Sequence, residues 1–186
     1  MVDKNVFICC NYETAFAPKM PVSGWTLSMC LVNFHKELKR ISSANQEMRI
    51  KVFWDLLKQK GDGFRIENDN LYIGDYLLNG NYELPDKVKE LCSGTATIFM
   101  KDVRVSTNVM QSDGTRAVGT TLKGVAYDSI FKYGRSYRGE ANILGESYFT
   151  AYDPIRSSRG EVIGVVYTGI KRSDFFPHSI SFNLTS

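Results

Sequence analysis

Arg104, Ser106 and Asn108 alternate along the run KDVRVSTNV, and Tyr148, Thr150 and Tyr152 alternate along ESYFTAYDPI. In an extended strand alternate residues face one side. The first run therefore sets Arg104, Ser106 and Asn108 against Val103, Val105, Thr107 and Val109. The second sets its two tyrosines and Thr150 against Phe149 and Ala151. Tyr137 opens a third such run, and Arg116 follows on the loop after the first. A guanidinium holds both oxygens of a carboxylate at once, and a tyrosine offers an apolar wall with a polar tip. The chemistry these residues suit is reversible capture of a small anion in a cup. A plainer arrangement uses the same residues: tyrosines packed in a sheet, with Arg104 paired across strands to Glu140 or Asp153. Both readings stand on the sequence.

Catalysis has less support. No serine sits in a Gly-x-Ser-x-Gly elbow, and neither His35 nor His178 stands in a recognisable triad pattern. The carboxylates are scattered, and Gly134, Gly139 and Gly145 do not link a strand to a helix as a phosphate loop requires. Cys9, Cys10, Cys30 and Cys92 match no zinc or haem spacing. The adjacent pair Cys9 and Cys10 bridges only with strain. Free thiols and no cofactor are expected, which fits a reducing compartment. The net charge of +3 is spread along the chain, so nucleic acid is not expected as a partner. At 186 residues with 43% hydrophobic content, one compact domain with appendages is expected. Residues 1–20 lack the apolar stretch of a secretory signal, and no window reads as a membrane span.

These residues need elements to position them. Residues 1–22 show no period and read as a poorly ordered arm. Residues 23–62 read as a long helix, with Ser23 or Thr26 as its cap and Gly61 after its end. Leu27, Leu31, Phe34, Leu38, Ile41, Met48 and Val52 recur in steps of four and three, with Asn45 in the one polar slot. That is the spacing of a helix–helix seam, and equally of a helix laid on a sheet. A small hairpin, turning at Asp69-Asn70, is expected from Gly63 to Tyr76. A short helix opened by Pro85 follows, with Leu84, Val88 and Leu91 on one face and Gly94 at its end. Five strands are then expected over 95–100, 103–109, 136–143, 147–155 and 162–170. Lys101-Asp102 and residues 157–160 form hairpin turns, and a helical insert lies near 125–131. The fold class is α+β: a long N-terminal helix on a five-stranded antiparallel sheet, over residues 63–176, with a tail from 177 to 186.

The runs TATIFMKDVRVSTNV, DGTRAVGT, YRGEANILGESYFTAYDPI and VIGVVYTGI, in this order, resemble the single-Cache sensor domains of methyl-accepting chemotaxis proteins. LYIGDYLLNGNYELPDKVKELCSGTATIF is similar to the middle segment of that family. The resemblance covers about Arg49 to Phe175. It implies a PAS-like sheet and reversible binding of a small metabolite, often an organic acid or amino acid, without catalysis. It also implies signalling through a membrane to a cytoplasmic domain. The positions that match for ligand binding are Arg104, Thr107, Asn108, Arg116, Tyr137, Tyr148 and Tyr152. Receptors of this kind carry membrane spans on both sides of the sensor, and the sequence given shows neither. Read alone it is cytoplasmic or a fragment, whereas the family lies outside the inner membrane. The leading expectation is a small-molecule sensing module of a chemoreceptor-type transducer. The alternative is a ligand-free structural or dimerisation module, a homodimer through the long helix. A small enzyme is third.

Overall fold

The computed structural model describes residues 27–175. The expected arm, the capping residues Ser23 and Thr26, and the tail lie outside them. The chain divides into two compact units between Glu37 and Leu38, inside the long helix α1, Leu27–Lys58. The second unit holds every element after α1. It opens with β1, Phe64–Glu67, β2, Asn70–Ile73, and β3, Tyr76–Leu77, joined as a small antiparallel sheet. The turn between β1 and β2 is Asn68-Asp69, one residue earlier than expected. Both residues have positive φ, 49° and 58°, which asparagine and aspartate tolerate in a two-residue hairpin. Helix α2, Glu83–Cys92, follows. It buries Leu84 and Val88 but leaves Leu91, in its last turn, exposed.

The main sheet contains β4, Thr95–Met100, β5, Val103–Thr107, β6, Tyr137–Ile143, β7, Glu146–Arg156, and β8, Val162–Lys171. Their order is β5-β4-β8-β7-β6, all neighbours antiparallel. This is the five-stranded α+β architecture expected. The insert is α3, Gly124–Tyr127, running into a π-helical turn at Asp128–Lys132. A final helical turn, α4, spans Arg172–Phe175.

Each face of the sheet has its own core. On one face Ile50, Phe53 and Leu57 of α1 pack with Leu84 and Val88 of α2 on Ala96, Ile98, Ala151, Ile155 and Val166. On the other, Ala126 and Ile130 of the insert and Leu122 of the preceding loop pack on Phe99, Tyr148, Tyr152, Val165 and Tyr167. β8 is central and covered on both sides, so VIGVVYTGI reads as an almost continuous apolar run.

α1 corrects one expectation. Among the described side chains of α1, those buried are Gln46, Arg49, Ile50, Phe53 and Leu57. Of the heptad stripe, Ile41 is 42% and Met48 55% exposed, and Asn45 and Val52 are half-buried. The sheet-facing stripe is offset from the heptad by one residue, about 100° around the helix. From Ile41 to Val52, the four–three pattern is therefore not the face that α1 lays on the sheet.

Candidate functional site

β5 carries a bulge that redistributes its side chains. Thr97 pairs with Thr107 and Ile98 with Ser106, but Phe99 pairs with Arg104, leaving Val105 as the extra residue. A bulge reverses the in–out alternation beyond it. Arg104 and Thr107 therefore share the insert-facing side of the sheet. Ser106 lies on the other side, where its hydroxyl donates to the Asn81 carbonyl. This corrects the expected face of Arg104, Ser106 and Asn108. Asn108 has left the ladder: its Oδ1 accepts from the Ala96 amide at 2.8 Å and its Nδ2 donates to the Pro85 carbonyl at 2.7 Å. It ties α2 to β4 and is not brought together with Arg104.

Arg104 is 7% exposed. Its guanidinium lies over the Phe99 ring, 5.3 Å from the centroid. Burial lowers its pKa, and the neighbouring hydroxyls of Tyr167, Tyr152 and Tyr148 act in the opposite direction. Its Nε has no hydrogen-bond partner. It pairs with neither carboxylate named by the plainer reading, because both lie on the opposite face and are engaged there. Asp153 accepts from Arg138 at 2.8 Å and from the Trp54 indole at 2.8 Å, and Glu140 stands 3.5 Å from Arg172. Among the described residues the Arg104 guanidinium has no carboxylate partner.

The tyrosines form a wall beside it. Tyr152 stacks on Tyr167 with centroids 4.8 Å apart, and Tyr137 lies 6.0 Å from Tyr152. β6–β7 pairing places Tyr137 directly opposite Tyr152. Tyr148 and Tyr152 share a face, as alternation predicts, and Thr150 between them donates to the Gly139 carbonyl at 2.9 Å. Burial pushes the Tyr152 hydroxyl pKa up, with Arg104 pulling it down. The Tyr148 hydroxyl is likewise raised, by burial first. The wall is thus built of neutral hydroxyls around one cation.

Two further expected residues are engaged within the protein itself. Arg116 grips Asp86 of α2 with both Nη atoms, at 2.8 and 2.9 Å, and donates to the Thr107 carbonyl at 2.8 Å. Hydrogen bonding to Asp86 raises its pKa. Thr107 is fully buried, its hydroxyl 2.6 Å from that of Thr97. Both hold the loop after β5 against the sheet.

Tyr167 and Phe99 stand beside Arg104 and were not singled out from the sequence. Tyr167 is fully buried, its hydroxyl 2.9 Å from Thr95. A Cβ added at Gly169 would stand 2.0 Å from that hydroxyl, so the ring lies along β8 over Gly169. The readable signal is the Tyr-x-Gly spacing, which Tyr137 and Gly139 repeat on β6, with an added Cβ 2.5 Å from the Tyr137 hydroxyl.

Among the described residues, no helix is long and apolar enough to cross a membrane, and no three His, Cys, Asp or Glu side chains are grouped to hold a metal. Cys92 is a free thiol.

The sequence matches the family model described as single Cache domain 3 over residues 76–179. No curated protein matches it. Among solved structures it is similar to the E. coli DcuS sensor domain, at 20% identity and a TM-score of 0.38, over 50% of this chain and 67% of that one. The family match runs from β3 through the entire main sheet and takes in Arg104, the tyrosine wall and the insert. Covering more than half of the sequence, it establishes that this chain belongs to the single Cache domain 3 family.

Proposed function

We propose that this chain is the extracytoplasmic sensing module of a chemoreceptor-type transducer, and that it binds a small organic anion without chemical turnover. The observation that carries the reading is the Arg104 guanidinium, buried on the insert-facing side of the sheet with no carboxylate partner among the described residues. A buried cation without a counter-ion is unfavourable. A ligand carboxylate supplies the missing charge, and Tyr148, Tyr152 and Tyr167 supply an apolar wall around it. Thr107, Arg116 and Asn108 hold the strand and loop that frame the cup, and Tyr137 closes its β6 side. Membership of a Cache family supports the sensing role.

A calorimetric titration with small carboxylic acids and amino acids tests the reading. Saturable binding by at least one anion, with the substrate recovered unchanged, is the expected result. Absence of binding across monocarboxylates, dicarboxylates and amino acids would leave the ligand-free dimerisation module as the better account.

A further inference from the structure

Arg104 is not the only buried polar group whose partner is missing. Four further side-chain atoms are buried without a hydrogen bond: Gln46 Oε1, Gln46 Nε2, Arg49 Nη1 and Thr168 Oγ1. Gln46 is 2%, Arg49 8% and Thr168 0% exposed. All three belong to the interface between α1 and the main sheet, on the face opposite Arg104. Gln46 and Arg49 stand one turn apart on the buried stripe of α1. Thr168 is in register with Ala96 and Ala151, whose side chains lie in the α1-facing core. Gln46 also lines a cleft of about 290 Å³ with Ser43, Arg138, Gly139, Glu140, Phe149 and Thr150, whose two charged side chains are engaged elsewhere, Arg138 with Glu47 and Asp153 and Glu140 with Arg172.

The charges around this interface do not balance at Arg49. Arg138 is met by Glu47 and Asp153, and Glu140 by Arg172. Arg49 receives only a backbone carbonyl: its Nε donates to Cys92 O at 3.1 Å, at the end of α2. The partial negative charge of a helix C-terminus offsets part of a guanidinium, not all of it. A guanidinium NH, a carboxamide NH2 and a hydroxyl are together a donor set, and donor sets without a carboxylate recognise anions.

We propose that α1 and the sheet enclose a second ligand site, separate from the Arg104 cup. It takes one small monovalent anion, of halide or formate size, held by Arg49 Nη1, the Gln46 amide and the Thr168 hydroxyl. The anion neutralises Arg49 and fastens α1 to the sheet, so its occupancy stabilises the docking of the helix. A water entering with it donates to Gln46 Oε1.

The test is thermal melting of the purified chain at constant ionic strength, with sodium gluconate replaced stepwise by chloride, bromide or formate. Gluconate is too large to enter. A saturable rise in the melting temperature with each small anion is expected, since a ligand that binds only the folded state stabilises it by mass action. Arg104→Gln keeps this rise. Gln46→Glu places an internal carboxylate beside Arg49; it melts no lower than wild type in gluconate and no longer responds to chloride. A bromide-soaked crystal shows an anomalous peak beside Arg49. Melting that is indifferent to the anion overturns the proposal, as does electron density at Gln46 and Thr168 that contains only waters. A halide response lost in Arg104→Gln and kept in Gln46→Glu assigns the effect to the cup and equally overturns it.

Discussion

At the scale of single residues, the proposed cup rests on one cation, and glycines let the tyrosines beside it lie flat. Arg104 stands over Phe99 in a site whose other polar groups are hydroxyls. Replacing it by alanine removes the buried guanidinium and leaves a ligand carboxylate unpaired, a loss of about 2–5 kcal/mol of binding. The variant remains folded, because the guanidinium makes no ion pair with another described residue. Calorimetry of Arg104→Ala against any anion bound by the wild type checks this, and wild-type affinity would remove Arg104 from the site. Gly169 makes a different prediction. Its Cβ would meet the Tyr167 hydroxyl at 2.0 Å, and Tyr167 is fully buried. Gly169→Ala therefore costs about 1–3 kcal/mol, the usual penalty for overpacking a core. An unchanged urea midpoint would show that the ring does not lie over that glycine. The shared face of Tyr148 and Tyr152 was legible in the sequence because period-two alternation holds along β7 where it pairs with β6. Tyr167 was not, because a central strand buried on both faces shows no alternation to read.

At the scale of elements, strand positions followed from turn residues and apolar runs, and β4 falls where the sequence placed it. What escaped was local irregularity. A bulge adds one residue without a composition of its own, and here it moves Ser106 and Thr107 to the faces opposite those that strict alternation assigns. The orientation of α1 also escaped. Its buried stripe contains Gln46 and Arg49, which a search for apolar periodicity passes over. The fastening of this helix has a readable consequence. Trp54 of α1 donates its indole N–H to Asp153 Oδ2 on β7, and Arg138 bridges Asp153 to Glu47. Burial acts to raise the Asp153 pKa, but hydrogen bonds from Arg138, Ser136 and Trp54 outweigh it and hold the carboxyl below its ordinary value. A depressed carboxyl stabilises the fold above its unfolded pKa of about 3.9, and that stability is lost as pH falls through the lower folded value. In a Trp25→Phe background, Trp54 fluorescence is expected to hold steady down to about pH 4 and to change below it. Asp153→Asn removes that transition. A midpoint at or above the ordinary value would contradict the assigned network.

At the scale of the whole molecule, the question is what covers the outward stripe of α1. Ile41 and Met48 are exposed, Asn45 and Val52 half-buried, and their four–three spacing extends in sequence back to Leu27. The sheet already engages another face of the helix, so core packing does not account for this repeat. Apolar surface left in water is unfavourable by roughly 25 cal/mol per Å². A second copy of α1 in parallel would cover the stripe, and Asn45 would meet its twin in the seam, an arrangement that fixes register. The expected outcome is a dimer at micromolar concentration that Met48→Glu or Ile41→Glu dissociates. Because both side chains are exposed within the chain, neither change should lower the melting temperature of the dilute monomer. Sedimentation velocity separates this from the competing arrangement, in which residues 1–22 fold over the stripe through Val6, Phe7 and Ile8. Under the dimer reading, a chain lacking those residues stays soluble and sediments with twice its own mass. A full-length protein that is monomeric at every concentration, beside a shortened chain that aggregates, would make the arm the cover and reject the dimer.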